Sequence, residues 1–290
     1  MVPVAVAAGA LVACSAAMVK VVTLARRLAP LPRPIVLVGE TGVGKRLLAR
    51  FIHNQSGRAG QFIAVGATDD GGPLGPLERA HNGTLFLKDL PLWPLAVQGT
   101  VLKAIEEGTI VRRGAERALP LTCRLIVASQ RPLEDLVADG RLLPALRWGI
   151  DEFVITVPPL RGRFADVAAL SYHFLDRARA EFGEGPTIFE PDALDRLLSH
   201  SWPGNVRQLR GAVEWSWVQA AGSAAERIRM ADLPPYVGRD AAARLVVDLN
   251  GRRELSRWAF ERAGRSRKGA ARLLGFHPNT IDNHLRAAAR

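Results

Sequence analysis

The fold is decided by the stretch Ile35-Val36-Leu37-Val38-Gly39-Glu40-Thr41-Gly42-Val43-Gly44-Lys45. Its first four residues form a continuous apolar run, which is typical of a strand buried on both faces of a parallel sheet. The glycines that follow let the backbone curl and direct its N–H groups at phosphate oxygens, and a helix over residues 46–53 would add the positive end of its dipole. This strand, loop and helix predict a P-loop, in which Lys45 reaches the β- and γ-phosphates of a nucleotide.

Strands and helices alternate on both sides of this loop. The other strand candidates are residues 62–65, 84–87, 124–128 and 153–157, and the other helix candidates are residues 18–28, 95–107 and 133–138. This alternation favours an α/β fold with a mostly parallel sheet and helices on both faces.

After Pro158-Pro159 the pattern becomes helical. Helices are predicted over residues 164–182, 191–200, 205–221, 253–263, 268–274 and 278–286. Leu233-Pro234-Pro235 interrupts them, and we interpret it as a linker.

Charge is unevenly distributed along the chain. The 290 residues carry a net charge of +11, and residues 239–290 account for +7 of it. A basic C-terminal segment favours an anionic partner, most plausibly nucleic acid. A solvated, arginine-rich surface is the alternative that charge alone leaves open.

The cysteines and the apolar N-terminus indicate a cytoplasmic protein. Cys14 and Cys123 lack metal-ligand spacing, so a reducing compartment fits them. No Lys or Arg precedes Cys14, so the positive region of a signal peptide is missing. No segment is long and apolar enough to span a bilayer, so we expect no membrane association.

Several motifs together resemble the AAA+ bacterial enhancer-binding proteins that activate sigma-54 RNA polymerase. The P-loop is similar to the family's GESGTGK loop, and Gly83-Thr84-Leu85-Phe86-Leu87 to its GGTLFLDE strand. Residues 98–113 resemble a helix and hairpin of the family, Pro158-Pro159-Leu160-Arg161 resembles LPPLRER, and Trp202-Pro203-Gly204-Asn205-Val206-Arg207-Gln208-Leu209 resembles WPGNVREL. The resemblance covers nearly the whole chain.

This resemblance implies a domain order. It comprises a P-loop AAA+ α/β domain at residues 1–160, an α-helical lid at 161–236 and a Fis-type helix-turn-helix at 245–290. ATP is the implied cofactor, and DNA and other AAA+ subunits, in homo- or hetero-oligomers, are the implied partners. Because residues 11–28 resemble the opening of the family's domain, we expect no sensory domain before it in this chain.

The resemblance also implies a set of nucleotide-binding residues. They are Gly39, Glu40, Thr41, Gly42, Val43, Gly44, Lys45, Arg46, Gln130 and Arg207. Arg46 stands where a magnesium-binding hydroxyl usually follows the lysine, although an acidic residue is common there in this family. Gln130 replaces the family's Asn, and Arg207 matches its second sensor arginine.

The residues that would support ATP hydrolysis depart from the family. Its Asp-Glu pair after the third strand is Lys88-Asp89 here, so Asp89 is a degenerate catalytic candidate. Lys88 puts a positive charge where Mg²⁺ would bind, which argues against a metal site. The alternative is that Lys88 partly replaces the metal by pairing with phosphate.

Two other elements of the family are missing. The GAFTGA loop that contacts sigma-54 has no counterpart in residues 66–83, where Asp69-Asp70-Gly71-Gly72-Pro73 is interpreted as a turn. Contact with sigma-54 RNA polymerase is therefore not expected. The two arginine fingers become Leu143 and Gly149, and Arg147 could substitute only after a local shift. A lost finger costs about 10³–10⁵ in rate.

The C-terminal segment resembles a Fis-type helix-turn-helix. Gly275 permits the turn, and Pro278 suits the first turn of the recognition helix. Ile281 and Leu285 are predicted to face inward. The DNA-binding candidates are Lys268, Arg272, Asn279, Thr280, Asn283, His284 and Arg286. A helical oligomerisation cap that binds no DNA is the alternative.

These inferences favour a DNA-binding transcription regulator of the sigma-54 interaction family whose ATP hydrolysis is weak or lost. An active ATPase that remodels sigma-54 RNA polymerase is one alternative. A non-catalytic subunit that modulates active relatives is the other.

Overall fold

The computed structural model describes residues 11–67, 74–111, 118–222, 225–238 and 249–287. The chain divides into two compact units. One is residues 21–157, and the other joins residues 1–20 to residues 158–290. We call them the α/β unit and the helical unit and describe each by itself.

The α/β unit is built on a five-stranded, wholly parallel sheet with the strand order β2-β3-β6-β1-β7. Its strands are β1 (Ile35–Val38), β2 (Phe62–Val65), β3 (Thr84–Leu87), β6 (Arg124–Ser129) and β7 (Val154–Thr156). A separate antiparallel pair, β4 (Thr109–Val111) and β5 (Ala118–Pro120), forms the hairpin that the resemblance implied. The P-loop strand β1 lies between β6 and β7, inside the sheet.

Helices cover both faces of this sheet. They are α1 (Ala16–Leu28), whose last eight residues belong to this unit, α2 (Lys45–Gln55), α3 (Leu74–Arg79), α4 (Leu95–Glu107), α5 (Leu133–Ala138) and α6 (Pro144–Ile150). On one face, Val36 and Val127 share a core with Val101 of α4 and Leu146 of α6. Since successive strand residues point to opposite faces, Leu37 points to the other face, and α2 contacts β1, β3 and β6. The predicted α/β fold is confirmed.

A buried arginine closes the end of α1 in this unit. Arg124, the first residue of β6, is 1% exposed and donates to the carbonyls of Leu28 and Arg33 at 2.8 and 3.0 Å. It also donates to the Ala29 carbonyl. The last carbonyls of a helix lack partners within the helix, so Arg124 satisfies them from the sheet.

The helical unit is organised around one core. Its elements are α7 (Phe164–Phe182), β8 (Ile188–Phe189), α8 (Pro191–Ser199), α9 (Asn205–Gly222), β9 (Arg227–Ile228), α10 (Leu249–Arg262), α11 (Arg267–Leu274) and α12 (Pro278–Ala287). Tyr172 and Trp202 of the first part share this core with Leu255, Trp258 and Ile281 of the last three helices. The C-terminal helices therefore pack on the lid region as one body.

The segment Leu233-Pro234-Pro235 was interpreted as a linker, but the residues at and after it pack into the core of the helical unit. Leu233 and Val237 are 8% and 7% exposed and belong to the core of the helical unit. Just before it, Asp232 accepts from the Arg229 backbone N–H at 2.8 Å and closes a short 3₁₀ helix. The proline segment is fixed because its apolar neighbours are buried. The predicted end of the lid at 236 lies within the described residues, and the predicted start of the helix-turn-helix at 245 lies outside them. Both limits stay predictions.

The N-terminal segment is anchored to the helical unit by Asp166. This carboxylate is fully buried at the start of α7 and accepts from the backbone N–H groups of Cys14 and Ser15 at 2.6 and 2.9 Å. The Ser15 hydroxyl donates to it at 2.8 Å and accepts from the Met18 N–H at 3.2 Å. Together they cap the first turn of α1. Over the described ranges, no helix combines the length and the apolar character that crossing a membrane requires.

Candidate nucleotide site and C-terminal helix pair

The P-loop leaves the sheet through a gap that only glycine fits. The Gly39 N–H donates to the Ser129 carbonyl at 3.1 Å, which holds the start of the loop against β6. A Cβ atom on Gly39 would lie 2.7 Å from the Val157 carbonyl oxygen. The loop therefore passes between its two neighbouring strands with no room for a side chain.

The rest of the loop curls around the Lys45 ammonium. Gly42 and Gly44 have φ angles of 81° and 106°, which side-chain-bearing residues rarely adopt. Gly44 precedes the first residue of α2, and the Lys45 Nζ donates to the carbonyls of Gly39 and Glu40 at 2.5 and 3.1 Å. The predicted positions 39–44 thus form one loop, and Lys45 and Arg46 begin α2 directly after it. A helix N-terminus in this place favours anionic groups.

The ends of the neighbouring strands bring two more candidates together. Asp89 follows β3 with a left-handed backbone, at φ 46°, which Asp tolerates better than most residues. Gln130 follows β6, and its Nε2 lies 3.4 Å from the Asp89 Oδ1. The strands β3, β6 and β1 are neighbours and run parallel, so Asp89 and Gln130 lie at the carboxyl end of the sheet, where the P-loop follows β1.

The side chains at this carboxyl end of the sheet are better suited to bind phosphate than to bind a metal ion. Lys88 is half-buried beside Asp89, and Arg46 is exposed at the start of α2. Mg²⁺ is bound by oxygen ligands. Lys88 and Arg46 instead place positively charged side chains here, which repel a metal ion. The residues present fit a nucleotide phosphate and do not fit Mg²⁺.

The segment that aligns with the arginine fingers carries no available arginine. Leu143 precedes α6 and Gly149 lies within it. Arg147 donates to Glu134 at 2.7 Å and to Asp151 at 3.1 Å, and its guanidinium lies 5.0 Å from the centre of the Trp148 ring. Arg147 would have to leave both ion pairs to act on a nucleotide, and its role as a substitute finger stays a prediction.

Gln98 fixes this segment from inside the unit. It is fully buried on α4, its Nε2 donates to the Trp93 and Arg141 carbonyls, and its Oε1 accepts from the Leu143 N–H. The predicted turn at Asp69-Asp70-Gly71-Gly72-Pro73 lies outside the described residues. The structure describes β2 up to Val65 and α3 from Leu74.

Arg207 lies in the helical unit, in the first turn of α9, and is exposed. The turn before it is tightly built. Trp202 is fully buried and donates through Nε1 to the Leu197 carbonyl at 2.9 Å. Asn205 is also fully buried and accepts from the Leu160 N–H at 2.7 Å. The motif around Arg207 therefore sets where α9 begins.

Helices α11 and α12 are joined by a short turn that faces α8. The Ser266 hydroxyl caps α11 by accepting from the Gly269 N–H at 3.1 Å. Gly275 ends α11 at φ 68°, and a Cβ there would lie 2.5 Å from the Pro191 Cβ. Ile281 is fully buried and Leu285 is partly buried against the core, as predicted.

Most DNA-binding candidates lie on the open side of this helix pair. The exposed ones are Lys268, Arg272, Asn279, Asn283 and Arg286, and Thr280 is partly buried. Arg286 pairs with Asp282 at 2.9 Å. A shallow cavity of about 390 Å³ is lined by Arg253, Asn283, Arg286 and Ala287.

His284 differs from the expectation that it is free to face DNA. Its Nδ1 lies 2.8 Å from the Ser256 hydroxyl of α10, and its ring packs at 6.4 Å from that of Phe276. Burial, with the charges of Arg252 and Arg253, lowers its pKa. The position of His284 in the sequence of α12 could not predict this contact, because its partner Ser256 lies on α10.

Sequence patterns of two known domains match residues 12–245 of the chain. Residues 12–160 match the sigma-54 interaction domain, and residues 161–245 match the AAA+ ATPase lid domain. The chain belongs to the sigma-54 interaction domain family. It is thus related to sigma-54-dependent transcriptional regulators that carry an AAA+ domain.

Individual relatives agree with this family. The transcriptional regulatory protein XylR of Pseudomonas putida is 33% identical over 287 residues, which covers 83% of this chain and 50% of XylR. The chain spans about half the length of the curated relatives it matches.

Two crystal structures of NtrX from Brucella abortus share the fold. The complex with ADP is 26% identical with a TM-score of 0.73, covering 97% of this chain and 70% of that one. The complex with ATP is 27% identical with a TM-score of 0.70, covering 97% and 69%.

Proposed function

We propose that this chain is a transcription regulator whose AAA+ unit binds ATP with weak or no hydrolysis, and whose α11–α12 pair binds duplex DNA. One observation carries the nucleotide part of this proposal. The loop from Gly39 to Lys45 has the backbone geometry that phosphate binding needs, while the adjacent strand end presents Lys88 and Asp89 instead of metal-binding carboxylates.

ATP binding is supported by the geometry of the loop. The left-handed glycines direct backbone N–H groups inward, and the N-terminus of α2 favours negative charge. Lys45 already lies against the loop carbonyls, and Gln130 lies at the same carboxyl end of the sheet. The related NtrX was crystallised with ADP and with ATP.

Weak hydrolysis is supported by what surrounds this loop. A metal ion supplies several kcal/mol of charge stabilisation in phosphoryl transfer, and Lys88 opposes its binding. Asp89 is one methylene shorter than the glutamate it replaces and lies by Gln130. A missing arginine finger raises the barrier by about 4–7 kcal/mol, and Arg147 is held by Glu134 and Asp151.

DNA binding is supported by the exposed side of α12. Asn279 and Asn283 are spaced by one turn and are both exposed, and Asn can pair with adenine in the major groove. Lys268 and Arg272 are exposed on α11, where they can hold phosphates.

Nucleotide binding and turnover should be measured side by side on the purified chain, with and without duplex DNA. We expect ATP to bind and phosphate release to stay at background, and Lys45→Ala to abolish binding without unfolding the chain. Turnover of about 1 s⁻¹ or more, within the usual range of enzymes, would contradict the proposal and support an active ATPase.

DNA binding is tested by titrating duplex DNA at low salt. We expect binding that Asn279→Ala with Asn283→Ala weakens. Absence of any binding at low salt would support an oligomerisation cap instead.

The same observations support a second candidate, a non-catalytic subunit that joins active relatives. The loss of metal ligands and fingers would leave such a subunit able to bind ATP and to assemble. Adding this chain to an active family member and measuring its ATPase rate distinguishes the two, because only a mixed assembly changes that rate.

A further inference from the structure

The first part of the chain is as basic as its C-terminal end. Residues 1–68 contain eight Lys or Arg and a single acidic residue, Glu40, which gives a net charge of +7. Only Lys45 and Arg46 of these eight belong to the P-loop region. The remaining charge has no part in the function proposed above.

Three of these arginines are exposed on two adjacent helices of the α/β unit. Arg26 and Arg27 lie on α1, and Arg50 lies on α2. The Arg26 guanidinium is 5.9 Å from the centre of the Phe51 ring of α2, which brings the last turn of α1 close to the residue next to Arg50. We call Arg26, Arg27 and Arg50 the α1–α2 basic surface.

The α1–α2 basic surface is partly preorganised. The Arg50 guanidinium lies 5.2 Å from the centre of the Phe62 ring of β2. Stacking of this kind stabilises an arginine by about 0.5–1 kcal/mol at exposed sites. It holds the stem of the side chain and leaves the N–H groups open to solvent.

Carboxylates do not neutralise this surface within the described part of the chain. None of the ion pairs recorded there includes Arg26, Arg27 or Arg50, and neither α1 nor α2 contains Asp or Glu. Next to it, Arg58 donates to the Thr122 carbonyl at 2.9 Å, so its charge is also uncompensated by an acid.

The half-buried His53 lies on α2 near this surface. Burial is the main cause that lowers its pKa, and the charges of Arg50 and Arg58 lower it further. The effect of these two charges has the sign expected of a basic surface, which attracts anionic ligands.

We propose that the α1–α2 basic surface binds the phosphate backbone of duplex DNA, as a second contact separate from α12. Arginine suits this role because its planar guanidinium group forms bidentate hydrogen bonds with phosphate. Contacts of this kind carry no sequence information and raise affinity in a salt-dependent way. The inference does not require α12 to read bases.

An acidic surface on a second copy of the chain is a weaker match for the α1–α2 basic surface. The acidic residues clustered around α5 and α6 are already paired within the chain. Those pairs are Glu134 and Asp151 with Arg147, Asp135 and Asp139 with Arg131, and Glu152 with Arg33. Duplex DNA carries one negative charge per about 1.7 Å of its axis, which is a denser match for several arginines than carboxylates already held in ion pairs.

The test measures the affinity of the full chain for random-sequence duplex DNA over a range of salt concentrations. Each lost phosphate contact lowers the slope of log K against log salt by about 0.9. We therefore expect Arg26→Gln with Arg27→Gln and Arg50→Gln to lower the slope by about 3. The triple Lys variant at the same positions should keep most of it, because the charge remains.

A matched control removes three cations of the same unit that already have acidic partners. They are Arg33, Lys103 and Arg131, each changed to Gln. We expect the control to bind like the unchanged chain. An unchanged slope in the α1–α2 variant would overturn the inference, as would a loss of self-association in light scattering with DNA binding intact.

A further variant separates this inference from the function proposed for α12. If Asn279→Ala with Asn283→Ala abolishes a preference for particular sequences but leaves the salt-dependent binding, the α1–α2 contact is supported. If that variant alone removes all DNA binding, the α1–α2 contact is excluded.

Discussion

Single residues decide what the nucleotide loop can do. Gly39 allows the chain to pass beside the Val157 carbonyl, and Lys45 fills the curl that follows. Both were predicted from the sequence, because phosphate loops need these residue types at this spacing. The ion pairs of Arg147 with Glu134 and Asp151 were not all predictable, since Glu134 lies on a different helix, α5.

Replacing Gly39 with Ala is expected to damage the loop. The new Cβ would lie 2.7 Å from the Val157 oxygen, so the strand or the loop must move. We expect a loss of about 1–3 kcal/mol in the free energy of unfolding and weaker ATP binding, measured by urea denaturation and nucleotide titration. Gly99→Ala is the control, because a Cβ there meets nothing within 4 Å. It should be neutral or stabilise α4 by up to about 1 kcal/mol.

Changing Lys88 to Asp together with Asp89 to Glu is expected to create a requirement for Mg²⁺. The change removes a cation from the end of β3 and supplies carboxylate ligands. ATP affinity of the unchanged chain should be similar in Mg²⁺ and in EDTA, whereas that of the variant should be higher in Mg²⁺. Equal affinities of the variant in both would show that Lys88 does not exclude the metal.

At the scale of elements, segments with a clear apolar pattern of their own were predictable. Strands β1, β2 and β3 and helices α4, α5 and α7 begin and end where predicted. Helix α6 was missed because Pro144 at its start and Gly149 near its end are residues typical of turns and helix breaks. Strands β8 and β9 have two residues each and pair across a long stretch of sequence, so no local pattern reveals them.

The contact between α7 and α11 offers a test at this scale. The Tyr172 hydroxyl donates to the Leu273 carbonyl at 2.9 Å, near the end of α11. Burial raises the pKa of Tyr172 to about 12, so it remains a donor. Tyr172→Phe should lower the free energy of unfolding by about 1 kcal/mol. Thermal unfolding of both variants measures the difference. Tyr236→Phe is the control and should have little effect, since Tyr236 is 42% exposed.

For the molecule as a whole, the histidines predict acid sensitivity. Burial is the main cause that lowers the pKa of His53, His173 and His284 below the usual value. The folded chain therefore favours the neutral rings more than the unfolded chain does. Their contribution is complete above the unfolded pKa of about 6.5 and is lost as the pH falls through the lower folded values.

The measurement compares urea midpoints at about pH 7.5 and about pH 5.5, on either side of the histidine pKa. The unchanged chain should lose stability at the lower pH. A variant with His53→Gln and His173→Gln should lose less, and carboxylates common to both chains cancel in this comparison. A fall in stability of the same size in both would assign the acid sensitivity to other groups.

If the α11–α12 pair binds DNA as proposed, the shared core of the helical unit constrains the geometry of the DNA site. Trp258 and Ile281 are buried with Tyr172 and Trp202, so α12 is held in a fixed direction by the lid. In an assembly of two such chains, the protein would therefore dictate the distance between two operator half-sites. Inserting about half a helical turn between the half-sites, roughly 5 base pairs, would place them on opposite sides of the duplex and abolish joint binding, whereas a freely tethered reader would tolerate it.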